Sequence, residues 1–158
     1  MSSDPVAARK NLVYGQNIEA GRWYRLGTHP ITEQELIEFA TAWDPQGFHI
    51  DKAVAEDGTY GGLIASGLHT LAVYQRLAVS SVFADWSVIA GRTLREVRFL
   101  RPVRPGDTLS GTLTVKEVVD GDHNRTLVTT WAELTNQHRK PVLNATVDAY
   151  VHTRSRTY

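Results

Sequence analysis

Residues 67–83 read GLHTLAVYQRLAVSSVF, and the fold of the chain turns on what must cover that segment. Apolar residues recur on every side of a helix drawn through it, and only Gln75 and Arg76 are strongly polar. A helix apolar on nearly every face is expected to lie inside something. The cover comes next in the chain. After Asp85, residues 88–99, 108–119, 126–135 and 142–153 are rich in β-formers and largely alternate. In the second of these runs, Leu109, Gly111, Leu113, Val115 and Glu117 are expected on one face, against Ser110, Thr112, Thr114 and Lys116 on the other. The links PVRPGD, DGDHN and NQHRK have turn chemistry. Sequential strands joined by such short links are expected to pair antiparallel. The pattern therefore predicts an α+β fold, an antiparallel sheet wrapped around a central helix at about residues 67–83.

Ahead of that helix the signals are local. Residues 21–26 (GRWYRL) suit a short strand. Thr32 with Glu35 three positions on makes a capping box, and Ile31 with Leu36 makes the hydrophobic staple around it. Leu36, Phe39, Ala40 and Trp43 then follow at helical spacing. The helix must stop near Trp43, because Asp44 precedes Pro45 and a pre-proline residue avoids the helical region. A short helix is expected over residues 51–55 with Asp51 as its cap, and a loop over DGTYGG, residues 57–62. The first eleven residues read as a flexible tail, leaving residues 12–158 as one domain.

Composition removes several classes of function. Lys plus Arg equals Asp plus Glu at 17 each, with no basic stripe of the kind a nucleic-acid binder carries. There is no cysteine, hence no disulfide, thiol nucleophile or thiolate metal site. The N-terminus lacks the apolar core of a secretory signal, and no apolar stretch is long enough for a membrane helix. A soluble cytoplasmic protein is the expectation. His29, His123, His138 and His152 share no metal-ligand spacing and read as surface residues, while His69 reads as a core or interface histidine. Neither GxGxxG nor a P-loop is present.

The chemistry concentrates in residues 39–68, FATAWDPQGFHIDKAVAEDGTYGGLIASGL. Asp44 closes a helix, where the dipole disfavours a carboxylate by roughly 0.3–1 kcal/mol. Pro45 and Gly47 turn the chain back, which brings His49 within reach of Asp44. A carboxylate and an imidazole sharing one water make an acid–base pair. Spacing alone also allows Asp44 to be a solvated helix end and His49 a packed loop residue. Gly67 stands at the start of the buried helix, where free N–H groups attract negative charge. It could polarise a thioester carbonyl, or simply be small where a helix crosses a sheet.

Together these residues resemble a known family. Phe39-Ala40, then Trp43 through Asp51, Ala55, and Gly61 through Thr70 are similar to the hydratase signature of the MaoC-like dehydratases, a family that includes (R)-specific enoyl-CoA hydratases. Phe99 through Leu109 is similar to the turn before that family's long hairpin. The resemblance spans roughly residues 31–153. It implies a hot-dog fold and reversible hydration of a trans-2-enoyl-CoA, or a related thioester, to the (R)-3-hydroxyacyl thioester. It implies Asp44 and His49 on the water, Gly67 on the carbonyl, and substrate contacts from Gly62, Ile64 and Ser66. It implies a homodimer or dimer of dimers binding acyl-CoA near the subunit interface, with no metal or redox cofactor. The chain departs from the signature at Trp43, Gln46, Gly47, Ser66 and Leu68. Two other functions suit a hot dog. A thioesterase would want a carboxylate on or near the central helix to activate water, and residues 67–83 contain no Asp or Glu, which argues against it. A non-catalytic acyl-CoA-binding subunit would not need both Asp44 and His49. Arg98, Arg101 and Arg104 either draw CoA phosphates or form a solvated face. Tyr60, Phe83 and Trp86 either line an acyl pocket or pack the core.

Overall fold

The computed structural model describes residues 12–154, so the expected tail over residues 1–11 lies outside the described residues. The elements run β1 (Trp23–Pro30), α1 (Glu33–Trp43), α2 (Gly47–Ile50), α3 (Lys52–Glu56), α4 (Gly67–Ser81), β2 (Val88–Phe99), β3 (Thr108–Asp120), β4 (Arg125–Thr135) and β5 (Pro141–His152). The five strands form one antiparallel sheet in the order β1-β3-β4-β5-β2, with α4 packed against it. This is the α+β, hot-dog arrangement.

The inward stripe of α4 is Val73, Tyr74, Leu77 and Ala78, at the three- and four-residue spacing that keeps one helix face together. These side chains meet Leu109, Leu113 and Val115 of β3, Val128 and Ala132 of β4, and Ala145 of β5 in a single core. Helix α4 is not buried all round, contrary to the expectation from its composition. Leu68 and Val79 remain exposed and Leu71 only half-buried, because one curled sheet covers one side of a helix and leaves the other open.

Two expectations about the sheet are corrected. The link after β2 is not a hairpin: β2 pairs with β5 at one edge, while β3 pairs with β1 and β4. Residues 100–107 instead cross between distant strands, fastened by Leu100 N–H to Val142 O, Ala65 N–H to Val103 O and Gly106 N–H to Ile31 O. That crossover is what carries Leu100–Val103 past the start of α4. Along β3 the alternation holds from Leu109 to Val115 and then slips. Val115 pairs with Thr130 but Glu117 with Thr129, so one extra residue is accommodated as a bulge. The bulge turns Glu117 to solvent and Val118 toward the core. At Gly111 the β4 backbone is too close for any side chain, since a Cβ would strike the Glu133 carbonyl.

Strand β2 is bound on one side through Asp148 of β5. This carboxylate accepts from Thr93 Oγ1 (2.9 Å), Arg95 Nε (2.8 Å), Arg95 Nη2 (3.1 Å) and Thr129 Oγ1 (2.6 Å). Chiefly through the Arg95 hydrogen bonds, its pKa lies far below the usual carboxylate range. The other side of β2 is open, and Ile89, Leu94 and Phe99 stand exposed along it.

Candidate active site

Helix α1 begins as the sequence predicts: Thr32 Oγ1 accepts from Glu35 N–H at 3.1 Å, and Ile31 and Leu36 are both buried. The reciprocal half of the capping box is missing. The Glu35 carboxylate accepts from His29 Nε2 at 2.8 and 2.9 Å and lies 3.6 Å from His69 Nε2, two stronger attractions than the Thr32 backbone N–H. His29 is thereby tied into the fold rather than left on the surface. His69 is buried against Phe39, their rings stacked 4.7 Å apart, and burial pushes its pKa down.

At its other end α1 stops at Asp44, whose N–H still reaches Ala40 O. Pro45 prevents continuation, and Gln46 N–H turns back to Asp44 O at 2.8 Å. Residues Gly47–Ile50 then form one helical turn, α2, where sequence patterns suggested only a turn. Gly47 permits this turn to sit on α3, since a Cβ would lie 2.9 Å from Val54 Cγ1. The turn directs His49 inward, only 4 % exposed.

Asp44 and His49 meet, with Asp44 Oδ2 3.3 Å from His49 Nε2. The far nitrogen of the imidazole is committed: Nδ1 donates to Ile64 O at 2.7 Å. A carbonyl oxygen only accepts, so Nδ1 carries a hydrogen, and neutral His49 presents the Nε2 lone pair to Asp44. Asp44 is held by two donors, Ser66 Oγ to Oδ2 at 2.7 Å and Gln46 Nε2 to Oδ1 at 2.8 Å. Its pKa is lowered by the Ser66 hydrogen bond first, then by Gln46, against the effect of burial. The pair thus offers two acceptors side by side, which a water molecule can satisfy with its two hydrogens.

Helix α4 starts at the same place. Ser66 is its N-cap, accepting from Leu68 N–H at 3.3 Å while donating to Asp44. Gly67 N–H donates to no acceptor among the described residues. The ring of Phe99, from β2, rests on Gly67, and a Cβ there would fall 2.9 Å from Phe99 Cε1 and Cζ. Asp44, His49 and Gly67 share one cleft of about 550 Å³. Its walls are otherwise largely apolar, from Tyr60, Ile64, Phe99, Leu100, Pro102 and Val103. Arg101 also lines it and is anchored by Nη1 to Pro141 O at 2.8 Å.

Of the expected substrate contacts, only Ile64 lines this cleft. Gly62 lies in a neighbouring depression beside Arg104, which is fastened to Tyr60 O at 2.6 Å. Ser66 is wholly buried and touches Asp44. Phe83 and Trp86 pack on each other and the core, at 5.5 Å between centroids, whereas Tyr60 faces the cleft. Gln46 stood in the sequence only as a departure from a signature; its reach back to Asp44 follows from the turn after Pro45. Ser66 had a legible signal as a serine just ahead of a helix, although its second bond did not.

A curled antiparallel sheet around one helix, with a carboxylate–imidazole pair at that helix's first turn, defines a hot-dog protein with a candidate active site at the helix start. The MaoC-like domain family model matches residues 16–137, and the chain belongs to that family. The Bacillus subtilis protein YdeM is 32 % identical over 105 residues, covering 66 % of this chain and 72 % of YdeM. A MaoC-like dehydratase from Rhodospirillum rubrum superposes with a TM-score of 0.81 at 30 % identity, covering 91 % of this chain and 99 % of that one. The R-hydratase PhaJ1 from Pseudomonas aeruginosa superposes with a TM-score of 0.71 at 25 % identity, over 93 % and 92 % of the two chains. No helix among the described residues is long and apolar enough to cross a membrane.

Proposed function

We propose that the protein is a hydro-lyase that reversibly hydrates a trans-2-enoyl-CoA, or a related unsaturated acyl thioester, to the (R)-3-hydroxyacyl thioester. The observation that carries this reading is the Asp44 Oδ2–His49 Nε2 approach of 3.3 Å in the same cleft as the Gly67 N–H, which has no acceptor among the described residues. Similarity to an R-hydratase supports the stereochemistry.

The chemistry runs through groups already in place. A water donates one hydrogen to Asp44 Oδ2 and the other to His49 Nε2. Asp44, doubly hydrogen-bonded, is the weaker base and stays ionised, so His49 takes the proton as the water oxygen bonds to C3. The C2=C3 electrons move toward the thioester, and the carbonyl oxygen gains negative charge. Gly67 N–H donates to that oxygen; losing one such donor costs roughly 10²–10³ in rate in other enzymes. His49 then returns its proton to C2, on the face from which water came. The apolar wall formed by Ile64, Phe99, Leu100 and Val103 receives the acyl chain. No metal or redox group enters these steps.

The protein works in the cytoplasm as a homodimer or dimer of dimers. An open strand edge bearing Ile89, Leu94 and Phe99, beside the exposed Leu68 of α4, is an aggregation hazard unless it is covered. Oligomeric hot-dog relatives such as the mycobacterial HadBC complex share the fold.

The test is loss of enoyl-thioester absorbance across short, medium and branched trans-2-enoyl-CoAs. Asp44→Asn is expected to lower turnover by about 10²–10⁴-fold. Undiminished hydration in that variant refutes the assignment, and release of free CoA in step with the loss of absorbance means a thioesterase, because hydrolysis of the thioester destroys the same chromophore.

A further inference from the structure

We propose that Gln46 is a positioning residue that fixes the plane of the Asp44 carboxylate and aims it at the reacting water, an inference that rests on the hydratase reading above. Three bonds converge on this one residue. Its backbone N–H reaches Asp44 O at 2.8 Å, its carbonyl accepts from His49 N–H at 2.9 Å, and its side-chain Nε2 donates to Asp44 Oδ1 at 2.8 Å. The backbone bonds set the spacing of Asp44 and His49 and are available to any non-proline residue. The side-chain bond is specific to a carboxamide of this length at this place.

The geometry divides the Asp44 carboxylate in two. Oδ2 faces Ser66 Oγ and His49 Nε2, while Oδ1 faces Gln46 alone among the hydrogen-bonding side chains. A carboxylate bound at one oxygen only can rotate about its Cβ–Cγ bond. With a donor on each oxygen its plane is fixed, and a lone pair of Oδ2 stays directed beside His49 Nε2. An ionised carboxylate only accepts, so the amide must present its NH2 to Asp44, leaving the carbonyl oxygen of the side chain turned away. Gln46 also lines the cleft, so this bond lies at the wall that substrate must pass.

The charged and titratable groups around Asp44 are few. His49 faces it from α2, and Arg101 lines the same cleft from the crossover after β2. Tyr60 lines the cleft from the loop before α4, and α4 with its N-cap contributes only uncharged groups, Ser66, Gly67, Leu68 and Thr70. With so few neighbouring charges, the Gln46 hydrogen bond lowers the pKa of the carboxyl, second to that of Ser66. The exposure of Gln46 to solvent makes the position tolerant of substitution and separates this role from a structural one.

The experiment uses the full chain and Gln46→Met, which keeps the side-chain length and removes the donor. The Asp44 carboxyl is titrated directly by carbon-13 NMR without substrate, and kcat and KM are measured on the best enoyl-CoA. The expected result is a higher Asp44 titration midpoint with a kcat lower by about three- to tenfold and a KM within about twofold, the loss of one hydrogen bond to a charged group. Gln46→Glu, which sets a second carboxylate against the first, is expected to raise the midpoint further. An unchanged midpoint in both variants overturns the proposal, as does a raised midpoint with unchanged kcat. If the wild-type protein hydrates no enoyl thioester, the hydratase reading fails with the catalytic role assigned here. In that case a raised midpoint still shows that the Gln46 carboxamide, alongside Ser66, is hydrogen-bonded to the Asp44 carboxylate.

Discussion

Replacing Ser66 by Ala removes one oxygen and two bonds, and the structure indicates what each is worth. The N-cap bond to Leu68 N–H is long at 3.3 Å, so it belongs at the low end of helix-cap values, about 0.5 kcal/mol. The 2.7 Å bond to ionised Asp44 is short and partly buried, and a hydrogen bond to a charged group is worth about 1.5–2 kcal/mol here. No cavity larger than the lost oxygen forms. The sum is about 2–2.5 kcal/mol, which for a chain of this size lowers Tm by roughly 5–10 °C. The effect must also depend on pH. Asp44 has a folded-state pKa below its ordinary value, so its contribution is present above the unfolded carboxylate pKa and is lost as pH falls through the folded one. Thermal melts of wild type and Ser66→Ala should therefore differ most near neutrality and converge below about pH 4, the ordinary carboxylate value. Turnover should fall as well, because Asp44 loses the donor that ties it to the start of α4. A difference below about 2 °C at neutral pH, or one that persists undiminished in acid, would refute the reasoning.

Two other outcomes follow from named contacts. Asp148→Asn leaves Arg95, Thr93 and Thr129 without their shared anion and is expected to cost about 2–3 kcal/mol in urea unfolding near neutrality. Wild-type stability from this group is present above the unfolded carboxylate pKa and lost as pH falls below it, so the variant's deficit should shrink in acid. Gly67→Ala presses a methyl group to within 2.9 Å of the Phe99 ring, which is more than half exposed and can swing aside at the cost of the cleft wall. KM should rise, and in a Phe99→Ala background the same substitution should cost about 1 kcal/mol less, read as a double-mutant cycle on kcat/KM. Strict additivity would show that the two do not meet.

Much of this molecule is legible before any coordinates. Alternating runs separated by Gly- and Asn-containing turns define β2 to β5 to within a residue at their ends, and Asp44-Pro45 ends α1 where it does. These are local effects: side-chain alternation, capping and the missing proline donor act between residues close in the chain. The meeting of Asp44 with His49 belongs to the same class, since only a proline turn and one helical turn separate them. Ser66 belongs to it by half, as its cap is local while its partner Asp44 lies twenty-two positions away.

What the tertiary structure alone decided is where distant segments touch. Alternation cannot say that residues 100–107 form a crossover, because a short polar link reads the same whether it closes a hairpin or spans a sheet. It cannot say which face of α4 stays open, since every face is apolar and the choice falls to the sheet that happens to cover one of them. The cleft is made of such choices. Phe99 from the edge strand, Leu100–Val103 from the crossover and Gly67 from the helix start converge there, while Gly62, adjacent in sequence to the rest of the motif, lies in the neighbouring depression. Composition and periodicity specify which groups are available and how each segment folds locally. Packing a curled sheet around one helix selects which of those groups share a cavity, because that choice depends on long-range sterics and burial that no short window of sequence contains.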